Sequence, residues 1–220
     1  MKTVQLSTLL LTPQIALSMD ITPRKFNSLI QLVYNKLEGT TNDGYNKINN
    51  KLKNYGCHCF NSDTKKPTIG GGAPVDAIDS ACKQLAICRA CLNDYEITNN
   101  LPRISDAANV RYKYQMIGDD SKIISCDAQA RDDQQDQAVC ECDKQFADSV
   151  AAAYNDWDAK YWYARRNDKD HFSQDEMCNV NPSASSRNLE CCGNWPMPAT
   201  FFNPLTAVCC DGVVTATGTC

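Results

Sequence analysis

Four stretches of the chain carry a hydrophobic rhythm that predicts an element. In residues 22–38, TPRKFNSLIQLVYNKLE, the apolar positions Phe26, Leu29, Ile30, Val33 and Leu37 recur three and four apart, the spacing of one helix face. Pro23 sits near the first turn, where a missing N–H costs nothing. From Val75 the set Ile78, Cys82, Leu85, Ala86 and Leu92 marks a second helix, with Asp76 or Asp79 as its cap. NVRYKYQMIGDDSKIISC holds two short β-prone runs around Gly118-Asp119-Asp120 and predicts a hairpin. A third, long helix is predicted from about Asp133 to Arg165, where Val139, Phe146, Val150, Tyr154, Trp157 and Tyr161 form a large aromatic face.

The intervening segments lack such a rhythm. A polar, Asn- and Lys-rich connection runs to Tyr55, and residues 61–74 read as loop because three consecutive glycines, Gly70 to Gly72, forbid regular structure. Residues 179–190 are rich in Asn, Pro, Ser and Arg and predict a linker. Residues 191–220 carry five cysteines, little charge and no helical period, which predicts a separate cysteine-stapled module. No repeat recurs on the scale of a solenoid unit.

Cysteine changes the picture most. The 220 residues include 14 cysteines spread from Cys57 to Cys220, a distribution that favours oxidised pairs over one metal cluster. Cys57-x-Cys59 is too tight for a zinc knuckle, and Cys88-x-x-Cys91 lies inside a predicted helix without the preceding strand a redox pair needs. The compartment is therefore expected to be oxidising. The beginning agrees: Lys2 precedes the apolar run Leu6 to Leu17, and Ala16-Leu17-Ser18 offers small residues for a signal peptidase, so residues 1–18 are expected to be a signal peptide. No later stretch approaches a membrane span, no hydrophobic tail signals a lipid anchor, and there is no Asn-x-Ser/Thr sequon. The expectation is a secreted, extracellular protein with no transmembrane segment.

The formal charge of −4 would become about −5 without Lys2, and it is unevenly placed. Basic residues lead six to three from Asp20 to Gly56, whereas acids lead seven to two from Asp127 to Asp148. A nucleic-acid face needs a far stronger basic stripe, so no nucleic-acid partner is expected.

The motifs, taken in order, resemble one family. NYGCHCF, then APVDAIDSACKQLAIC, then RYKY and IISC, and finally VCECDKQFA follow the arrangement of the secreted phospholipase A2 family across residues 22–178. There a Tyr-Gly-Cys-x-Cys-Gly calcium loop leads into a helix bearing the catalytic His-Asp, followed by a tyrosine-bearing hairpin and a Cys-x-Cys-Asp helix. The resemblance implies a mainly α, disulfide-rich fold over residues 19–178: a phospholipase A2-like core of three helices with a small β-hairpin, joined by the linker to the C-terminal module. It implies the bridges Cys57–Cys178, Cys59–Cys82, Cys88–Cys142 and Cys126–Cys140. Two family bridges vanish as pairs, at Ala81 with Ser149 and at Leu32 with Met116. Cys91 has no partner in this scheme; a bond from Cys91 to one of Cys191, Cys192, Cys209, Cys210 or Cys220 would tie the tail to the second helix.

The resemblance also implies that the chemistry is gone. The family histidine that takes a proton from water is Leu85, the calcium-binding aspartate is Ala86, and the aspartate that orients the histidine remains as Asp143. Tyr112 matches the hairpin tyrosine, and Arg89 stands where a second tyrosine helps orient that aspartate, which makes Arg89 a candidate partner for Asp143. His58 and His171 lie off the helix where the base must stand and read as surface or structural histidines. The calcium loop has become Cys59-Phe60-Asn61 with extra residues before Pro74, so high-affinity calcium is not expected and no cofactor is implied. Losing the base alone costs about 10²–10⁴-fold. No enzyme activity is expected.

Several roles remain for such a pseudoenzyme. The tail ECCGNWPMPATFFNPLTAVCCDGVV resembles the paired-cysteine, galaxin-like modules of invertebrate extracellular matrix and coral skeletal proteins, and CDAQARDDQQDQAVCECD could present carboxylates to dispersed calcium ions at a mineral surface. The first role is thus a component of an extracellular or calcified matrix, with matrix components or mineral as partner. The alternatives are a secreted binding protein for a lipid or hydrophobic ligand, with Phe26 and Ile30 at channel-lining positions; a membrane-active, toxin-like homologue, which the acidic charge disfavours; and a divergent active phospholipase.

Overall fold

A computed structural model of the chain describes residues 18–20, 26–38, 40–60, 67–69, 72–102, 112–118, 122–127, 134–162, 172, 177–178 and 189–220. Its frame is a pair of long helices, α3 (Ala77–Thr98) and α4 (Gln134–Ala153). Ala81 shares a groove with Ser149 and Ala153, Cys88 is bridged to Cys142, and Leu92 shares a cleft with Ala138, so α4 recedes as α3 advances and the two run antiparallel. Asp76 caps α3 by accepting the Asp79 N–H at 2.9 Å, the first of the two caps the sequence offered.

Helix α1 (Phe26–Leu37) lies against α4 and sends Leu29, Ile30, Leu32 and Val33 into the core, each with no exposed surface. The expected hairpin is present as β2 (Lys113–Ile117) and β3 (Ile123–Ser125), antiparallel, with Gly118 at positive φ where the chain turns. Strand β1 (Ser18–Asp20) adds to the edge of β2, at the very boundary where signal cleavage is expected; residues 1–17 lie outside the described residues.

Three expectations are corrected. The connection after α1 contains a further helix, α2 (Tyr45–Leu52), so the described residues hold four helices rather than three. Five of its eight residues are polar, leaving Tyr45, Ile48 and Leu52 as a stripe too narrow to stand out in sequence. What holds it is long-range: Ile48 and Leu52 are fully buried, and Asp43 just before it pairs with Lys47 at 2.5 Å and Lys51 at 2.7 Å and accepts the Tyr154 hydroxyl at 2.9 Å. Second, the third predicted helix stops at Ala153 instead of running to Arg165, and two 3-10 turns, Tyr154–Asp156 and Ala159–Tyr161, follow. The aromatic rhythm continues while the helix does not, because Trp157 and Trp162 turn their indole N–H groups onto the carbonyls of Lys51 and Lys53 at the end of α2. Tyr55 stacks against Trp157, and the Gly56 N–H reaches the Tyr161 carbonyl at 2.9 Å.

Third, the tail is a pair of antiparallel hairpins, β4 (Glu190–Cys192) with β5 (Thr200–Phe202) and β6 (Ala207–Cys210) with β7 (Val213–Ala216), and strand begins at Glu190, inside the predicted linker. Residues 179–188 lie outside the described residues. The chain is disulfide-rich and mixed, with helices and small antiparallel strand pairs, rather than mainly α.

All 14 cysteines are paired in seven bridges. Four are the pairs the resemblance implies: Cys57–Cys178, Cys59–Cys82, Cys88–Cys142 and Cys126–Cys140. Cys91 joins Cys191, and Cys192–Cys209 and Cys210–Cys220 staple the tail. Among the described residues no helix is long and apolar enough to cross a membrane.

Candidate functional site

The α3–α4 pair sets the geometry of the site. The Cys88–Cys142 bridge fixes the register of the two helices, and the next residue on each, Arg89 and Asp143, meet across the gap with Nη2 to Oδ1 at 2.8 Å. The Tyr112 hydroxyl, just before β2, donates to the other carboxylate oxygen, also at 2.8 Å. Asp143 is only 3% exposed, so both oxygens need partners, and the arginine and the phenol supply them. Burial, followed by the Asp143 carboxylate, pushes the Tyr112 phenol well above its usual pKa, which keeps it a proton donor.

Leu85 lies one helical turn before Arg89. It is 1% exposed and belongs to the same core cluster as Ile78, Phe60 and Phe146. Phe60, at the loop position where the family has glycine, is fully buried and packs edge-to-face on Phe146 with ring centroids 5.6 Å apart. Ala86 is half-buried on α3. The structure therefore brings Asp143, Tyr112 and Arg89 together, with apolar packing at Leu85.

Sequence reasoning saw Asp79 only as a possible cap. It is fully buried and organises the loop: Oδ1 accepts the His58 N–H at 2.7 Å, and Oδ2 accepts the N–H groups of Cys57 and Val75, each at 3.0 Å. Gly56 is required here on two counts. Its φ is +57°, and a Cβ at that position would fall 2.3 Å from the Asp79 carboxylate carbon. The signal available in sequence was the glycine directly before Cys57, with an acidic residue at the start of the next helix.

His58 is fully buried, in line with the structural half of the expectation for it. Its Nδ1 lies 3.1 Å from the Thr68 carbonyl, which assigns the proton to that nitrogen, and its Nε2 has no hydrogen-bond partner among the described residues. Burial holds its pKa below the usual imidazole value, so the ring is neutral at pH 7. Nearby, Lys83 Nζ donates to the Gly72 carbonyl at 2.8 Å. His171, Asn61 and residues 62–66 lie outside the described residues.

Calcium, which the family resembled by the motifs would imply, takes six to eight oxygen ligands and usually a carboxylate. The residues described here do not fit it. Position 86 is alanine, the Asp79 oxygens are used by three backbone N–H groups, and those of Asp143 are used by Arg89 and Tyr112. No protein-family model and no curated protein matches the chain.

Proposed function

We propose that this chain is a secreted, non-catalytic phospholipase A2-like protein that serves as a component of an extracellular or calcified organic matrix. The observation that carries the non-catalytic reading is the neutralisation of Asp143: the carboxylate that orients a histidine in that family is here bound by Arg89 and Tyr112, beside a buried Leu85. The family reading is supported by the order of motifs and by the four bridges that join them. Seven disulfides suit an oxidising, extracellular compartment.

The matrix role rests on the acidic stretch around α4 and on the stapled tail. Asp143 and Asp148 are engaged in ion pairs, with Arg89 and with Lys36 and Lys144, so these two are not counted among the carboxylates that the acidic stretch would present. A ligand role through the family's channel is less well supported, because Leu29, Ile30, Phe60 and Leu85 are 0–1% exposed and pack into one core.

Two measurements test the reading. The recombinant chain is expected to release no fatty acid from phospholipid vesicles in calcium; hydrolysis abolished by a chelator refutes the non-catalytic half. In the source tissue the chain is expected in the insoluble or mineral fraction, and recovery wholly in free fluid refutes the matrix half.

A further inference from the structure

The tail meets α3 around a second feature, remote from Leu85. A partly enclosed cleft of about 130 Å³ opens between α3, α4 and the module, walled by Leu92, Tyr95, Ala138, Trp195, Met197 and Ala199. The rings of Tyr95 and Trp195 stack with centroids 4.1 Å apart and planes 10° from parallel, which makes one wall a flat aromatic slab. The bridges Cys88–Cys142 and Cys91–Cys191 also border it, so α4 and β4 are both fastened covalently to α3 at its rim. No lining residue carries a charged side chain.

We propose that this cleft binds a small uncharged aromatic molecule of one ring. Size sets the first limit: an apolar cavity of about 150 Å³ is large enough to take benzene and stays dry when empty, whereas drug-sized ligands need about 300 Å³ or more. Chemistry sets the second, since a charge placed against aromatic, aliphatic and disulfide groups would give up part of its hydration with no charged group in the lining to replace it. Shape sets the third: a flat ring stacks on a flat slab and gains an aromatic contact that a linear alkane of equal area does not. The covalent ties at the rim hold the walls apart before the ligand arrives, so little ordering cost falls on binding.

The test is a titration of the full, disulfide-bonded chain with toluene, read by carbon-13 labelled methionine methyls. The Met197 methyl is expected to shift saturably with a Kd of ~1 mM or tighter, within reach of seven non-hydrogen atoms. Met177, which does not line the cleft, should not move. Ala199→Leu fills the cleft and should weaken binding at least tenfold; if that variant fails to fold, Ala199→Val is expected to weaken it at least threefold. Benzoate, the same ring with a charge, should not bind in this range. Absence of saturation at Met197, equal affinity in the filled variant, or benzoate binding as tightly as toluene would each overturn the proposal.

Discussion

Replacing Asp79 with asparagine removes one acceptor oxygen from a carboxylate on which three backbone N–H groups converge. Turned one way, the amide oxygen serves His58 and the new NH₂ meets the N–H groups of Cys57 and Val75. Turned the other way, it serves Cys57 and Val75 and opposes only His58, which is the cheaper arrangement. That leaves one buried N–H without a partner, at about 1–3 kcal/mol, and weakens two charge-assisted bonds to neutral ones, at roughly 1 kcal/mol each. The expected cost is about 3–5 kcal/mol, or a Tm lower by roughly 6–20 °C for a chain of this size. Because Cys57–Cys178 and Cys59–Cys82 tie the segment down, part of the loss should be local. Native-state hydrogen exchange should therefore show the amides of Cys57, His58 and Val75 deprotected ahead of those in the middle of α4. Asp94→Asn, at an exposed position on the same helix, serves as control. A stability within 1 kcal/mol of the parent, with protection at Cys57 and His58 unchanged, would refute the view that Asp79 organises the loop.

Other expectations follow from the same contacts. Arg89→Met should cost about 2–3 kcal/mol in denaturant unfolding, below the full value for breaking a buried pair because Arg89 is 25% exposed, and the cost should shrink in an Asp143→Asn background. Leu85→His combined with Ala86→Asp should show no vesicle hydrolysis above the parent, since Arg89 still holds Asp143 and a buried Phe60 packs on Phe146 beside position 85. Ala81→Cys with Ser149→Cys, positions that share one groove, should form an eighth bridge visible by peptide mapping; closing a ring of about 15 residues through Cys88–Cys142, it should stabilise by about 3 kcal/mol. Hydrogen bonds from Lys47 and Lys51, with that from Tyr154, hold the Asp43 carboxyl well below its usual pKa. Its contribution to stability is therefore present above about pH 4 and lost as pH falls below it, and Asp43→Asn should flatten that part of the Tm–pH profile.

The parts of the fold legible in sequence are those whose burial is local in origin. Helices α1, α3 and α4 announce themselves because one broad face of each is buried, and a 3.6-residue period records it. Helix α2 does not, because its anchors, Asp43 to Tyr154 and the carbonyls of Lys51 and Lys53 to two indoles, lie about a hundred residues apart in sequence. The same contacts explain why Trp157 and Tyr161 keep a helical spacing without a helix. At the site, the Arg89–Asp143 pair was legible only through the family resemblance, which sets Arg89 at a position that faces Asp143, whereas the burial of His58 and the span of Asp79 were not legible. Nothing in the spacing of polar residues records that three N–H groups will converge on one side chain.

Asp79 and Asp143, two of the buried carboxylates, differ in origin but are alike in having both oxygens held. Asp79 sits in the first turn of α3 and accepts from three backbone N–H groups; Asp143 sits in the first half of α4 and accepts from an arginine and a phenol, one on each oxygen. A buried carboxylate whose two oxygens are both held by donors from neighbouring elements is fixed in orientation, and it locks the groups that hold it. Giving either group a chemical role would thus require releasing partners first, which at Asp143 means breaking a bond that joins α3 to α4 one residue from their disulfide. The cost of that release, set by Arg89→Met, is therefore the quantity that measures how firmly Asp143 serves as a joint of the scaffold.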